Sequence, residues 1–356
     1  MGTRPTDTTA QGILTGWKRQ TSFAGGDAGL SVFAIGAGAP ANFPCYRHPW
    51  EEPAMFEIEG TFEIPRLERP SRREFEERFL LPQRPVVVCG AMEDWPARKQ
   101  WTNDYLTEKV GARTIQPSTA NNEGRHLHAS PKKSIVVTTS SMKLADYIEL
   151  VAGGDLSDGQ LYVVQLPIKT GLPELWPDIR FPPFVDEQKY SAVNLWFGPG
   201  NNVTPLHYDL PNNLLTQVRG RKQVVLCPPR EIARVYPFPF GYLGNHISQV
   251  NVADPDLTRF PAWADADRAL VELGPGDMLF IPACWWHAVC GIDQNISINY
   301  WWRCRSINYL KLPRQMARLV AQAGLTVGSA LAQKVIRSAG RQSSSGQAGE
   351  QAQSRA

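Results

Sequence analysis

The sequence predicts a mainly β fold with helices before and after the β region. Between residues 160 and 302, short apolar stretches follow one another with turn residues between them, as in "QLYVVQLP", "SAVNLWFG" and "PGDMLFIP". Many short strands at such close spacing indicate a sandwich, a jelly roll or a barrel. Helical patterns lie at 71–81 and 140–154 before this region, and from residue 306 onward after it.

The N-terminal part of the sequence predicts an arm followed by mixed α and β elements. Residues 1–30 are rich in Gly, Thr and Ala without periodicity, and we expect residues 1–60 to form a partly disordered arm. From residue 56 the stretch "FEIEGTFEI" alternates as exposed β structure does. Ser71, with Glu74 three residues later, has capping-box spacing and predicts the start of an amphipathic helix.

Three further elements precede the β region. The run "RPVVVCG" at 84–90 indicates a buried strand, and a second helix is predicted to begin near Thr102. In "SSMKLADYIELVAGG", the residues Leu144, Ile148 and Val151 share one helical face. The sequence therefore predicts α/β elements packed beside the β region.

The C-terminal part predicts helices and then a disordered tail. After the last predicted strand at 295–302, the pattern is helical over residues 306–340. Residues such as Leu312 and Met316 give these helices more apolar surface than a solitary helix outside a closed barrel needs. The helices pack back on their own barrel or against a second copy, and we expect a homodimer. Residues 341–356 are polar and of low complexity, which predicts disorder.

Composition and charge exclude several classes of protein. The chain is 42% hydrophobic and 20% charged, as globular proteins are, and its net charge of +3 gives no reason to expect nucleic acid or an anionic membrane as a partner. No apolar run reaches the roughly 18 residues that a membrane span needs. The six cysteines are scattered, which suits reduced thiols better than a disulfide framework. We expect a cytoplasmic protein.

The stretch "TPLHYD" at 204–209 places a histidine two residues before an aspartate, in a chain with six histidines. Its flanks are apolar and aromatic, as strands are. Because side chains at i and i+2 point to the same face of a strand, His207 and Asp209 lie side by side and Tyr208 faces the other way. They form two thirds of a 2-His-1-carboxylate triad, which binds non-haem Fe(II) and leaves positions open.

The candidate for the third ligand is His287, in "GPGDMLFIPACWWHAV". It lies 80 residues after His207, so the two side chains meet only through the fold. A jelly roll achieves this by pairing early and late strands. Taken alone, His287 is better explained as a buried histidine beside tryptophans; the order of the two motifs favours the ligand.

Three stretches occur in a fixed order: "NLWFGPGNNVTPLHYD", "NNLLTQVRGRKQVVLCPP" and "PGDMLFIPACWWHAV". Together they resemble the JmjC-domain oxygenases of the cupin-8 type, which are Fe(II)- and 2-oxoglutarate-dependent hydroxylases related to factor-inhibiting HIF and the JmjC arginyl hydroxylases. The resemblance extends over residues 64–305, and we assign residues 61–305 to the catalytic domain. It implies a double-stranded β-helix, a jelly-roll core, with His207, Asp209 and His287 on the iron.

The resemblance also implies residues for the co-substrate. The distal carboxylate of 2-oxoglutarate reaches into the barrel and requires a buried cation. In these hydroxylases a lysine follows the HxD motif after a β-turn; here "VRGRK" turns at Arg219–Gly220, and Lys222 lies in the matching place. The apolar neighbours of Lys222 argue against a solvated residue at a strand edge. The matching hydroxyl and amide positions near the co-substrate are Thr204, Tyr162, Asn213 and Asn299.

The substrate pocket agrees with the resemblance at one position and departs from it at another. Trp196 matches a residue that lines the substrate pocket in the arginyl hydroxylases. Those enzymes place a glutamate shortly after the strand equivalent to "RTIQP", where this chain has Ser118. Only a rearranged loop would bring Glu123 to that place. The departure leaves the substrate, and arginine as a substrate in particular, open.

The expected function is hydroxylation of an unactivated C–H bond with Fe(II), 2-oxoglutarate and O2, most simply on a peptide or protein side chain. Related folds accept other substrates by loop variation, so a biosynthetic small molecule or an RNA base is an alternative. A different class is a non-catalytic metal-binding cupin module, which would lack a ligand or the lysine. The histidines of "RHLH" at 125–128 have strand spacing but no nearby carboxylate, and we interpret them as a loop.

Overall fold

The architecture was obtained from a computed structural model. It describes residues 56–119, 138–139, 141–153, 161–240, 242, 244–305, 308, 312, 315 and 317. The predictions for residues 1–55 and for the tail at 341–356 lie outside this part of the chain. Among the described residues, no helix has the length and apolar character needed to cross a membrane.

Strands dominate the described residues, as the sequence predicts. Their bounds are β1 (Arg66–Glu68), β2 (Val86–Cys89), β3 (Thr114–Ile115), β4 (Ser118–Thr119), β5 (Thr138–Thr139), β6 (Met142–Lys143), β7 (Leu161–Pro167), β8 (Tyr190–Gly198), β9 (Val203–Tyr208), β10 (Asn212–Arg219), β11 (Lys222–Cys227), β12 (Ala269–Leu273), β13 (Met278–Ile281), β14 (Trp286–Gly291) and β15 (Asn295–Trp302). A nine-stranded sheet has the order β1-β2-β13-β10-β15-β8-β7-β4-β5, and a four-stranded sheet has the order β12-β11-β14-β9. A separate two-stranded sheet pairs β3 with β6.

The two large sheets face each other across an apolar core. On β11, Val224 and Leu226 pack with Leu215 and Leu279 of the larger sheet. Val225, between them, belongs to a second apolar cluster on the outer side of the smaller sheet. The period-two alternation of a strand therefore supplies both an inner and an outer core. Early and late strands pair, β9 with β14 and β10 with β15, so the predicted jelly roll is confirmed.

The α-helices pack on the outer side of the larger sheet, and two of the 3₁₀ turns pack on the outer side of the smaller sheet. Their bounds are α1 (Arg72–Phe75), continued by a π-helical turn (Glu76–Leu80), α2 (Pro96–Gln100), α3 (Asn103–Val110), α4 (Leu144–Gly153) and α5 (Ile168–Gly171), with 3₁₀ turns at Pro173–Asp178, Pro229–Ala233 and Pro261–Asp265. Ser71 accepts a hydrogen bond from the Glu74 amide, as its capping-box spacing predicts. Thr102 caps α3 in the same way, through the amide of Tyr105.

The predicted β structure at 56–64 is wrong. Residues 56–65 contain no regular strand, and β1 begins only at Arg66. The segment bonds to isolated points of the barrel instead: the Phe56 amide donates to Gln223 Oε1 (2.8 Å), and the Thr61 amide donates to the Arg268 carbonyl (2.7 Å). Its alternation comes from one side lying on the barrel, which a period-two pattern cannot distinguish from a sheet edge.

The C-terminal region is described at only four positions. Gln315 donates to the Pro229 carbonyl (2.7 Å), and Leu312 packs against the outer cluster of the smaller sheet. Asn308 lies at the same end of the barrel, where its side-chain amide donates to Cys304 Sγ. These three positions contact their own barrel. The predicted helices over 306–340 are otherwise outside the described residues, and the homodimer stays a prediction.

Candidate active site

The three predicted metal ligands meet at one end of the β9–β14 pair. His207 on β9 and His287 on β14 are partners in the register, and their ring centroids lie 4.3 Å apart. Asp209 follows β9, which ends one residue earlier than predicted, and its Oδ2 lies 3.7 Å from His287 Nε2. One ligand atom from each residue lies within 4.8 Å of the others. The fold therefore assembles the 2-His-1-carboxylate triad from positions 80 residues apart.

A bulge in β9 aims two side chains at the site. His207 pairs with His287, but Thr204 pairs with Val289, so Pro205 and Leu206 together oppose one residue of β14. Because of the extra residue, Thr204 and His207 both face the interior although they are three positions apart. A proline fits here because a bulge does not need its missing amide hydrogen.

Both histidines are held in the tautomer that a metal requires. His207 Nδ1 lies 2.8 Å from the Pro205 carbonyl, and His287 Nδ1 lies 3.0 Å from the Trp285 carbonyl. A carbonyl only accepts, so each Nδ1 carries the hydrogen and each Nε2 keeps its lone pair. Burial lowers the pKa of His207 to about 3 and that of His287 to about 4, so both imidazoles are neutral near pH 7.

Asp209 is positioned through the backbone of the turn before His287. The Cys284 amide donates to the Asp209 carbonyl (2.7 Å), and the Ala283 amide donates to Asn212 Oδ1 (3.1 Å). Cys284 adopts a left-handed conformation (φ 63°) to make this turn. A non-glycine residue in that region is strained, and this one lies in the turn that leads into the metal-ligand candidate His287.

The triad opens into a cavity between the two sheets. Every predicted site residue except Ser118 lines it. The complete lining is Tyr162, Trp196, Thr204, His207, Asp209, Asn213, Leu215, Lys222, Ile281, His287, Val289 and Asn299. The apolar lining residues Leu215, Ile281 and Val289 were not predicted from the sequence. Alternate side chains of a strand face the interior, but the sequence does not show which set does so until the pairing register is known.

Lys222 lies at the deep end of this cavity as a buried cation. It begins β11, is 1% exposed, and its ammonium donates to the Tyr162 hydroxyl (3.1 Å). Burial lowers its pKa from 10.5 to about 7, and no carboxylate among the described residues pairs with it. An ammonium in such a place is destabilising until an anion reaches it.

The spacing between Lys222 and the triad suits a short dicarboxylate. Leu226, four residues after Lys222 on β11, is the register partner of His287. Four residues of strand span about 13 Å. The lysine and histidine side chains occupy part of that length and leave room for a ligand of a few carbons with an anionic group at the lysine end.

Gly291, the partner of Lys222 across β11 and β14, ends β14 where the chain enters a tightly packed turn. A Cβ atom there would lie 2.5 Å from Asn202 Oδ1 and 2.4 Å from Asn295 Nδ2. A Cβ on Gly198 would approach the same Asn202 oxygen to 2.2 Å. The buried Asn202 side chain therefore fits only because both neighbours lack side chains.

Ser118 and the "RHLH" histidines stand apart from the cavity in different ways. Ser118 is buried on β4, opposite Tyr162 in the register of β7, and does not line the cavity. Its part in a substrate pocket stays a prediction. Residues 125–128 and Glu123 lie outside the described residues. Trp196 does line the cavity, with its ring centroid 5.9 Å from that of Tyr162.

Comparisons with known proteins agree with this geometry. A family model described as Cupin-like domain matches residues 72–307. Lysine-specific demethylase 8 of Xenopus tropicalis is 34% identical over 69% of this chain and 54% of that protein; for the Danio rerio protein of the same name the values are 36%, 69% and 59%. tRNA wybutosine-synthesizing protein 5 of Homo sapiens is 30% identical over 67% of this chain and 78% of that protein.

These similarities leave the partners open. The chain spans a little over half the length of the two demethylases that it matches. One relative carries tRNA in its name, so the expectation that nucleic acid is not a partner finds no support here and stays a prediction.

The family itself is settled by three findings together. The family match covers most of the barrel, the relatives are similar over about two thirds of this chain, and the triad has the residue types and spacing of a non-haem iron site. The chain therefore belongs to the cupin-like domain family, among the JmjC-type proteins that depend on Fe(II), 2-oxoglutarate and O2.

Proposed function

We propose that this chain is a hydroxylase that inserts one oxygen atom into an unactivated C–H bond of a peptide or protein side chain. The observation that carries the proposal is a single cavity with a metal-binding triad at one end and a buried cation without a carboxylate partner among the described residues at the other. A non-catalytic cupin module would not need the buried cation.

The residues fit the groups that the family requires. His207, Asp209 and His287 would hold Fe(II) and leave positions open for two oxygens of 2-oxoglutarate and for O2. Lys222 and Tyr162 would bind the distal carboxylate. When bound, the iron with O2 and 2-oxoglutarate supplies oxidising power, and 2-oxoglutarate leaves as succinate and CO2.

The protein's own part is orientation and exclusion of water. The Nδ1–H bonds to the carbonyls of Pro205 and Trp285 keep both imidazoles turned toward the metal. Leu215, Ile281 and Val289 give the cavity an apolar wall, which keeps the reacting centre dry. Trp196 would form part of the wall against which the substrate side chain lies.

A protein side chain is the substrate class that the similarity to two lysine-specific demethylases favours. Hydroxylation at an N-methyl carbon releases formaldehyde, whereas hydroxylation at a chain carbon leaves a stable alcohol. The second candidate is a tRNA base, which the similarity to a tRNA wybutosine-synthesizing protein favours. The same cavity suits both substrate classes, because one fold accepts different substrates through variation of its loops.

An anaerobic titration tests the shared chemistry first. Fe(II) and 2-oxoglutarate added to the metal-free protein are expected to give a weak visible charge-transfer band only when both are present. A well-folded protein without this band would favour a non-catalytic module. Peptide pools and tRNA are then screened for succinate release together with a one-oxygen mass gain or formaldehyde. Succinate release that depends only on tRNA would overturn the peptide proposal.

A further inference from the structure

Trp196 and Asn299 form a hydrogen-bonded pair in the wall of the cavity. Trp196 on β8 and Asn299 on β15 lie on adjacent strands, and the indole nitrogen donates to Asn299 Oδ1 at 2.9 Å. Asn299 is 1% exposed, and its Nδ2 has no hydrogen-bond partner among the described residues. Both residues line the cavity. A buried amide nitrogen without a partner is uncommon and needs a ligand to complete it.

The indole fixes which way this amide points. An indole N–H donates and never accepts, so the Asn299 atom facing it must be the oxygen. The other amide atom, Nδ2, then lies on the side of the group away from the indole, in a residue that lines the cavity. A flipped amide would set two donors against each other and leave the oxygen toward the ligand. Asn213 Oδ1 also has no partner among the described residues, but no indole in that part of the chain fixes the orientation of its amide.

We propose that Trp196 is a positioning residue for 2-oxoglutarate: its N–H holds the Asn299 amide so that Nδ2 donates to an oxygen of the co-substrate. The inference rests on the proposed function and deepens it, because it gives Trp196 a role beyond lining the substrate side. Trp196 acts through Asn299 and does not itself contact the co-substrate. A change at Trp196 in the substrate wall is therefore expected to alter the binding of 2-oxoglutarate.

Trp196→Phe separates the two roles, because it keeps an aromatic wall and removes the N–H. Without the indole donor, Asn299 has no preferred flip, and binding must first order it. The dissociation constant for 2-oxoglutarate is expected to rise roughly three- to tenfold, the range for one hydrogen bond. Asn299→Ala is expected to weaken binding at least as much. Asn299→Asp is expected to weaken it further, because a carboxylate oxygen then faces the ligand's own.

The experiment is anaerobic calorimetric titration of 2-oxoglutarate into full-length protein loaded with Mn(II), which fills the metal site without turnover. The variants are Trp196→Phe, Asn299→Ala and the double variant, with Trp176→Phe as the matched control. Trp176 lies in an aromatic cluster outside the cavity. Mn(II) affinity and thermal unfolding are measured on each variant.

The positioning role predicts that Trp196→Phe has little further effect once Asn299 is Ala, because both changes remove the same contact. Two results would overturn the positioning role, provided that Mn(II) binding is unchanged in every variant. One is full additivity of the losses in 2-oxoglutarate affinity in the double variant, and the other is wild-type affinity in Trp196→Phe. Wild-type protein that binds Mn(II) but no 2-oxoglutarate would instead refute the proposed function, and this inference with it.

Discussion

Replacing Lys222 with methionine is expected to stabilise the ligand-free protein and to weaken its co-substrate binding. The ammonium is 1% exposed, and burial lowers its pKa from 10.5 to about 7. A pKa change of that size lowers the free energy of unfolding by about 4 kcal/mol near pH 7. Methionine fills a similar space without charge, so the variant is expected to recover part of that free energy.

The size of the destabilisation depends on pH in a way that identifies its cause. Because the pKa of Lys222 is lower in the folded state, the destabilisation is full below about pH 7, where both states carry the proton. It declines as the pH rises and vanishes above 10.5, where both states are neutral. The stability advantage of Lys222→Met is therefore expected to shrink between pH 7 and pH 10.

Co-substrate binding is expected to change in the opposite direction. Removing Lys222 leaves the distal carboxylate buried without a cation, which costs about 3 kcal/mol or more. The dissociation constant for 2-oxoglutarate then rises on the order of a hundredfold. Metal binding is expected to change little, because the lysine lies about 13 Å along the strand from the level of the triad.

The assay pairs urea unfolding at several pH values with calorimetric titration of 2-oxoglutarate. Lys189→Met is the control, since Lys189 is an exposed lysine paired with Asp186 at the surface. A Lys222→Met protein that is less stable than wild type at pH 7 would refute the claim that the unpaired ammonium of Lys222 destabilises the ligand-free protein. Wild-type affinity for 2-oxoglutarate would show that the lysine lies outside the co-substrate site.

Three further predictions concern the ligands, a turn and the assembly. His207→Ala is expected to lose bound iron and succinate formation while thermal unfolding stays near that of wild type; full activity would contradict the triad. Gly291→Ala forces a Cβ to within 2.5 Å of Asn202 Oδ1 and is expected to cost about 2 kcal/mol in denaturant unfolding, and wild-type stability would contradict the close packing. Full-length protein is expected to sediment at twice the chain mass and the form truncated after Arg305 at one chain mass; a monomer at tens of micromolar rules out the dimer.

Most of the barrel follows from the sequence, because inner strands alternate between two apolar clusters and turns separate them. The segment at 56–64 has the same alternation and forms no strand, since nothing in its own residues shows whether a partner strand lies beside it. The meeting of His207, Asp209 and His287 was predicted correctly, since one ligand atom from each lies within 4.8 Å of the others. The bulge at Pro205 was not, because the extra residue is defined only by the register of β14.

The cavity collects groups that each disfavour the ligand-free fold. Lys222 is a buried cation, Asn213 Oδ1 and Asn299 Nδ2 have no hydrogen-bond partners among the described residues, and two imidazoles lie against a carboxylate. A divalent metal and a dianionic co-substrate add no net charge together, but they would give Asp209 a cation, Lys222 a carboxylate and the amides hydrogen-bond partners. A barrel selected only for stability would replace such groups with apolar ones. Their presence together in one cavity is therefore evidence for a bound state in which they are satisfied at once.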